Sequence, residues 1–243
     1  TCYERKPRMK IIFLTSQQAA EQATYLVSWL RNRGHIVSVT KDRITPEGLV
    51  SFDIGISFGY RYIFKKIHID ALKGKLINVH TGFLPYGRGA MPNVWAIIDR
   101  VPAGVSIHFV DDGIDTGPII AQREISVLAT DTGAVLYRRL RTEASHLFME
   151  VWTVLESSTR IPGGAQPPGE FITHKSGDVG LVDDLDNYFG PLARRVIDVL
   201  RARTFPDHEA AYIHDEDGRK VFVRVELTYE KEKAAPPPPK KSP

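Results

Sequence analysis

The chain has 243 residues, of which 42% are hydrophobic, 25% charged and 9% aromatic, and its formal net charge is +3. One or two domains with an ordinary core-forming composition exclude a large multidomain assembly and a disordered or fibrous polymer, and the small net charge argues against a nucleic-acid partner held by bulk electrostatics. The single cysteine, Cys2, excludes an internal disulfide framework and a cysteine-rich metal centre, and favours a reducing compartment.

Residues 1–8 read as an extension ahead of Met9, and residues 234–243, with Pro236 to Pro239, read as a polyproline-like tail that buries nothing. Between them no apolar run approaches the ~18 residues of a membrane span, and no leader with a cleavage site is visible, so the reading is cytoplasmic with no membrane partner. Residues 10–15 form a first apolar strand, and Ser16 is a plausible cap for a helix over 17–33, where Ala20, Ala23, Leu26, Val27 and Leu30 recur at helical spacing and Gly34 stops it. Strands over 35–40 and 52–58 complete the opening of a parallel α/β sheet. A helical turn over 67–72 precedes a fourth strand over 76–80, then comes a glycine- and proline-rich loop over 81–93 and a helix beginning near Val94. Strands over 105–110 and 119–127 flank an acidic loop, and a long amphipathic helix covers 134–155.

The composition of residues 162–175 reads as a linker that separates a first domain over 9–161 from a small unit over 176–233. In that unit Gly190-Pro191 starts a helix carrying Leu192, Val196, Val199 and Leu200, and strands over 210–214 and 220–229 form a hairpin with Gly218 at the positive backbone angle. About 60 residues are few for a self-sufficient core, so this unit is expected to lean on the first domain or to join two copies into a homodimer. Tyr188, Phe189 and Tyr212 either pack this unit or stack on a base.

Asn78-Val79-His80 ends the fourth strand, and the two-residue side-chain period puts the amide and the imidazole on one face. Open α/β sheets bind ligands beyond the carboxyl ends of their strands, which is where this pair sits. The following loop is stiffened by Pro85 and Pro92, and Arg88, between Gly87 and Gly89, is suited to a phosphate. Asp111, Asp112 and Asp115 lie within five residues of one another with Gly113 among them; such a run is often only a turn, yet crowding would raise a carboxyl pKa toward neutrality and fit it for proton exchange. A metal site on His80, His108 and these aspartates is not expected, since no short-spaced histidine pair anchors it. His146, in the long helix, reads as a structural or exposed residue, and His108 as a strand residue that supports the loop.

In order along the chain, Asn78-Val79-His80, Leu84-Pro85, Gly104 to His108 and Asp115-Thr116-Gly117-Pro118 resemble the folate-dependent formyltransferase family over residues 9–160. Phe58 to Tyr62, Leu72 to Lys75 and Arg88 to Asn93 are most similar to the nucleotide-sugar N-formyltransferases within it. The resemblance implies a Rossmann-like formyltransferase core and transfer of a formyl group from 10-formyltetrahydrofolate to the amine of a nucleotide-linked amino sugar, best matched by dTDP-4-amino-4,6-dideoxyglucose, for O-antigen or another surface glycan. It implies Asn78, His80 and Asp115 as the catalytic trio. Folate would lie against Gly59, Tyr60, Arg61, Tyr62, Asp111, Asp112 and Gly113, and the sugar nucleotide would face Lys75, Arg88, Met91, Pro92 and Asn93, with no metal. The alternatives are a methionyl-tRNA formyltransferase and a non-catalytic folate-binding protein.

Overall fold

The computed structural model describes residues 8–157, 161–204 and 209–228. The expected amino-terminal extension, apart from Arg8, and the proline-rich tail lie outside those residues. Two compact units divide the chain, Thr1–Val179 and Gly180–Pro243.

In the first unit the elements are β1 (Lys10–Leu14), α1 (Ala20–Asn32), β2 (Ile36–Thr40), β3 (Ile54–Phe58), α2 (Lys66–Ala71), β4 (Leu76–His80), β5 (Arg88–Gly89), α3 (Pro92–Ile98), β6 (Gly104–Phe109), β7 (Ile119–Glu124), α4 (Gly133–Leu155) and β8 (Thr173–His174). Six strands form one sheet in the order β2-β1-β3-β4-β6-β7. The first four are parallel, β6 runs antiparallel to β4, and β7 antiparallel to β6, so five of the six strands share one direction. The expected α/β core with a mainly parallel sheet is what forms.

Both faces of the sheet are covered, which explains why the strands read as unbroken apolar runs. Ile11, Phe13, Ile56, Phe58, Ile77 and Val79 point to one side, where α1 and α4 pack. Their alternating neighbours Ile12, Leu14 and Leu76 point to the other, onto Leu49 and Leu72. On α4 the residues Leu136, Leu140, Ala144, Phe148 and Trp152 recur at four-residue spacing and are all buried. The Thr132 hydroxyl caps that helix by accepting from the Val135 N–H. Ser16 does not cap α1: the helix begins later, at the Ala19 cap position, without a side-chain bond.

The run over 162–175 is not a free linker. The backbone of Gly164 pairs with Ile119, and β8 pairs in parallel with β5, Thr173 against Arg88 and His174 against Gly89. A glycine is required at position 89, because φ is +89° and a Cβ would lie 2.0 Å from the His174 carbonyl oxygen.

The second unit comprises α5 (Gly180–Asp183), α6 (Leu185–Phe189), α7 (Pro191–Ala202) and a hairpin of β9 (Ala211–His214) and β10 (Lys220–Val223). Pro191 occupies the first turn of α7, and Gly218 turns the hairpin at φ +78°. Leu192, Val196 and Val199 on α7 remain exposed, as do Tyr188, Phe189 and Tyr212, so these aromatics do not pack a core of their own.

Candidate active site

The chain passes from β1 to β2 on one side and later to β3 on the other, and the crevice this reversal leaves at the carboxyl ends of the strands is the expected ligand position. A cleft of about 930 Å³ opens there, large enough for two ligands of ordinary size to meet. Gly59 to Tyr62 after β3, Asn78 and His80 at the end of β4, Met91 to Asn93 at the start of α3, and Asp111, Gly113 and Asp115 in the acidic loop all line it.

Asp115 is the meeting point. Its Oδ1 accepts from the Asn78 amide at 3.3 Å and lies 3.4 Å from His108 Nε2, while its Oδ2 accepts from the Gly89 N–H at 3.0 Å and lies 3.9 Å from His80 Nδ1. Burial pulls the Asp115 pKa upward, but the charge of His80, the hydrogen bond and charge of His108, and the Gly89 N–H together outweigh it. The net effect holds this carboxyl below the usual carboxylate range. The crowding expectation is therefore reversed. Asp111 is occupied in its own turn, accepting from the Gly113 N–H at 3.2 Å and the Thr116 hydroxyl at 2.7 Å, and the groups facing Asp115 are imidazoles and an amide.

Carbonyl partners assign the tautomers of both histidines, because a carbonyl oxygen only accepts. His80 Nε2 lies 2.6 Å from the Gly87 carbonyl oxygen, so Nε2 carries a proton, and when the ring is neutral Nδ1 turns its lone pair toward the cleft and Asp115. His108 Nδ1 lies 2.8 Å from the Phe109 carbonyl oxygen, which leaves Nε2 to accept from the Asn78 amide at 3.3 Å when the ring is neutral. Ser106, fully buried opposite His80 on β6, fastens the loop beyond β4 by donating to the Gly82 carbonyl at 2.8 Å and accepting from the Leu84 N–H at 3.1 Å.

Three sequence expectations fall outside this arrangement. Lys75 precedes β4 and is therefore about five strand residues, roughly 16 Å, from the end that carries His80. Arg88 does not line the cleft: its guanidinium donates to Gln166 Oε1 at 3.1 and 2.6 Å and lies 5.5 Å from the Phe171 ring centre. Asp112 is likewise absent from the lining. His146 is exposed on α4, as expected.

The sequence reading missed His108, whose ring stands edge-on to His80 at 6.0 Å between centres. Its signal was present in part, since an antiparallel β4–β6 pair in this register sets His108 directly opposite Asn78. It also missed Arg141, a buried guanidinium from α4 that lines the cleft beneath Phe58 and donates to the Gln18 carbonyl and the Gln22 side chain. His174 from β8 lines the cleft as well, stacked flat on Trp95 at 3.8 Å and 2.9 Å from Asp99. Among the described residues, no group of three or more His, Cys, Asp or Glu could hold a metal ion.

Residues 50–152 match the formyl transferase family, and residues 192–229 match the N-formyltransferase dimerization C-terminal domain. The chain is 36% identical over 182 residues to the dTDP-4-amino-4,6-dideoxyglucose formyltransferase of Mycobacterium tuberculosis, a match covering 74% of this chain and 75% of that one. The crystal structure of the formyltransferase PseJ from Anoxybacillus kamchatkensis, in complex with UDP-4,6-dideoxy-4-formamido-L-AltNAc and tetrahydrofolate, superposes with a TM-score of 0.63 at 34% identity and covers 72% of this chain and 89% of that one. Methionyl-tRNA formyltransferase from Thermodesulfovibrio yellowstonii is 27% identical over 176 residues, 72% of this chain and 55% of that protein. Identity at the level of the mycobacterial enzyme, sustained over three quarters of both chains, makes this chain a member of the formyl transferase family.

Proposed function

We propose that the protein transfers a formyl group from 10-formyltetrahydrofolate to the amine of a nucleotide-linked amino sugar, with dTDP-4-amino-4,6-dideoxyglucose as the acceptor to test first. The observation that carries this reading is the convergence of Asn78, His80 and Asp115, delivered from two separate chain segments, in one cleft. The acceptor follows from the name of the mycobacterial relative, and the 4-formamido sugar nucleotide bound beside tetrahydrofolate in PseJ supports the same class of acceptor.

10-Formyltetrahydrofolate supplies an activated formyl carbon, attacked by the acceptor's neutral amine as the bond to the folate nitrogen breaks. Negative charge gathers on the formyl oxygen, and the Asn78 amide, which lines the cleft, meets it by turning toward it the N–H that His108 Nε2 otherwise accepts; one preorganised donor of this kind is typically worth ~3 to 4 kcal/mol. The proton that must leave the new ammonium goes to His80 Nδ1, the ring nitrogen left free by the Gly87 carbonyl. Asp115, held ionised, then faces the imidazolium at 3.9 Å. The proton passes on to the departing folate nitrogen, which closes the balance. Folate contacts are assigned to Gly59, Tyr60, Arg61, Tyr62, Asp111 and Gly113, and sugar-nucleotide contacts to Met91, Pro92 and Asn93, all of which line the cleft.

Incubation with both substrates should yield the N-formylated sugar nucleotide by mass spectrometry and tetrahydrofolate in equal amount. Absence of transfer to any of a panel of dTDP-, GDP- and UDP-linked amino sugars would overturn the reading in favour of a folate-binding protein. Formylation of methionyl-tRNA is the second enzymatic reading. The N-formyltransferase dimerization domain matched over residues 192–229 and the higher identity to the mycobacterial sugar enzyme stand against it, and the same assay with charged tRNA decides it. A homodimer through the second unit is part of this proposal, supported by the matched dimerization domain and by the exposed apolar stripe of α7. A cytoplasmic location and a role in surface-glycan synthesis follow from the donor and acceptor proposed.

A further inference from the structure

Gln166 sits half-buried in the proline- and glycine-rich run whose composition suggested a linker, outside the segment that matches the formyl transferase family. Its amide is used to capacity. Nε2 donates to the Asp115 carbonyl at 2.8 Å and to the Gly117 carbonyl at 2.9 Å, and Oε1 accepts from Arg88 Nε at 3.1 Å and Arg88 NH2 at 2.6 Å. A flipped amide would set its nitrogen against a guanidinium and its oxygen against two carbonyls, so the orientation is unambiguous.

The two ends of this clamp are the two sides of the Asp115 carboxylate. Asp115 has φ +53°, a left-handed conformation that a non-glycine residue keeps only when its surroundings over-determine it. Two neighbouring glycines narrow its choices further: a Cβ on Gly117 would lie 1.8 Å from the Phe109 carbonyl oxygen, and one on Gly113 would lie 2.0 Å from the Thr116 hydroxyl oxygen. The Asp115 carbonyl is held by Gln166, while its carboxylate meets Asn78, His80 and His108. Arg88, at the other end, immediately precedes Gly89, whose N–H donates to Asp115 Oδ2.

We propose that Gln166 is a positioning residue for formyl transfer, holding the Asp115 carboxylate within reach of His80 by tying the carbonyls of the acidic loop to Arg88. The proposal rests on the role of Asp115 given above. Gln166 touches neither His80 nor the reacting atoms; it acts through the backbone that carries Asp115.

The test is steady-state kinetics of the full chain with 10-formyltetrahydrofolate and the amino-sugar acceptor, for Gln166→Ala, Gln166→Glu, Asp115→Asn and the double variant Asp115→Asn/Gln166→Ala, each checked for folding by circular dichroism. Gln166→Glu is close to isosteric and keeps oxygens for Arg88 while losing both donated bonds, so it separates the clamp from gross packing. Both single Gln166 variants should lose about 10-fold or more in kcat, with KM for either substrate changed less than about 3-fold, because a displaced carboxylate alters the reacting geometry more than ground-state binding. In the Asp115→Asn background the further change to Gln166→Ala should alter the residual rate less than about twofold. Near wild-type kcat in Gln166→Glu, a pure KM effect, or losses that multiply in the double variant would each overturn the clamp. If Asp115→Asn itself turned over at the wild-type rate, the role assigned to Asp115 would fall, and the proposal with it; an inactive Asp115→Asn beside an unimpaired Gln166→Glu would sink the clamp alone.

Discussion

Replacing Gly82 by alanine tests the claim that a backbone carbonyl sets the chemistry of His80. Gly82 needs no unusual backbone angle, but a Cβ there would lie 2.5 Å from the Gly87 carbonyl oxygen and 2.5 Å from His80 Nε2, the two atoms of the bond that leaves Nδ1 as the base. Carbon meets such neighbours at about 3.5 Å, so something must yield by roughly 1 Å. The backbone at Gly87 resists, since its N–H is bonded to the Phe83 carbonyl at 3.0 Å, and the Gly82 carbonyl is held by Ser106. The ring is the part free to rotate, and rotation stretches the 2.6 Å contact to the Gly87 carbonyl beyond a hydrogen bond while swinging Nδ1 away from Asp115. A displacement near 1 Å in a reacting group costs on the order of 10²-fold in rate, whereas one lost hydrogen bond costs only about 1 kcal/mol of stability. The expected result is a kcat about 100-fold lower, followed by folate absorbance, in a protein whose urea unfolding midpoint moves little. Gly177→Ala, where nothing lies within 4 Å of an added Cβ, serves as the control and should match the wild type. A Gly82→Ala enzyme within twofold of wild-type kcat would refute the tautomer argument.

His80→Ala and Asp115→Ala should each lower kcat by about 10²- to 10⁴-fold without unfolding the chain, the range expected for loss of general-base function, and mass-spectrometric product yield at long incubation checks it. The fold depresses the Asp115 pKa, so the ionised carboxylate contributes stability fully above the ordinary carboxyl value near 3.9, and that contribution drains away as pH falls through the depressed native value. Urea titrations should accordingly show wild type more stable than Asp115→Asn at pH 5 to 6, with the gap closing below about pH 4; a gap that widens on acidification would contradict the assignment. Val196→Asp, which puts a charge in the middle of the exposed α7 stripe, should convert a sedimenting dimer to a monomer at micromolar concentration. An unchanged sedimentation coefficient would move the dimer contact elsewhere.

Much of the architecture was legible because it depends on near neighbours in the chain. Alternation along residues 76–80 put Asn78 and His80 on one face, four-residue spacing marked α4, and Gly34, Gly190 and Gly218 punctuated the elements where the backbone takes its positive angles. Strand ends were located well enough to say that an amide and an imidazole face a ligand crevice. Residue types alone did not reveal the partner of Arg88, since a guanidinium between two glycines suits a phosphate equally well whether or not a glutamine 78 positions later already occupies it.

The electrostatics of the site were decided by contacts that no local pattern encodes. In sequence the neighbours of Asp115 are acids, and crowding would raise its pKa; in space they are two imidazoles, an amide and a backbone N–H, and the shift is downward. His108 faces Asn78 because of antiparallel register across 30 residues, and Gln166 reaches the Asp115 carbonyl across 51. Short-range periodicity selects strands, helices and the face each side chain takes, because those follow from backbone geometry over a few residues. Which charge meets which, and therefore which nitrogen can accept a proton, depends on loops brought together by the burial of both sheet faces, and that only the assembled tertiary structure determines.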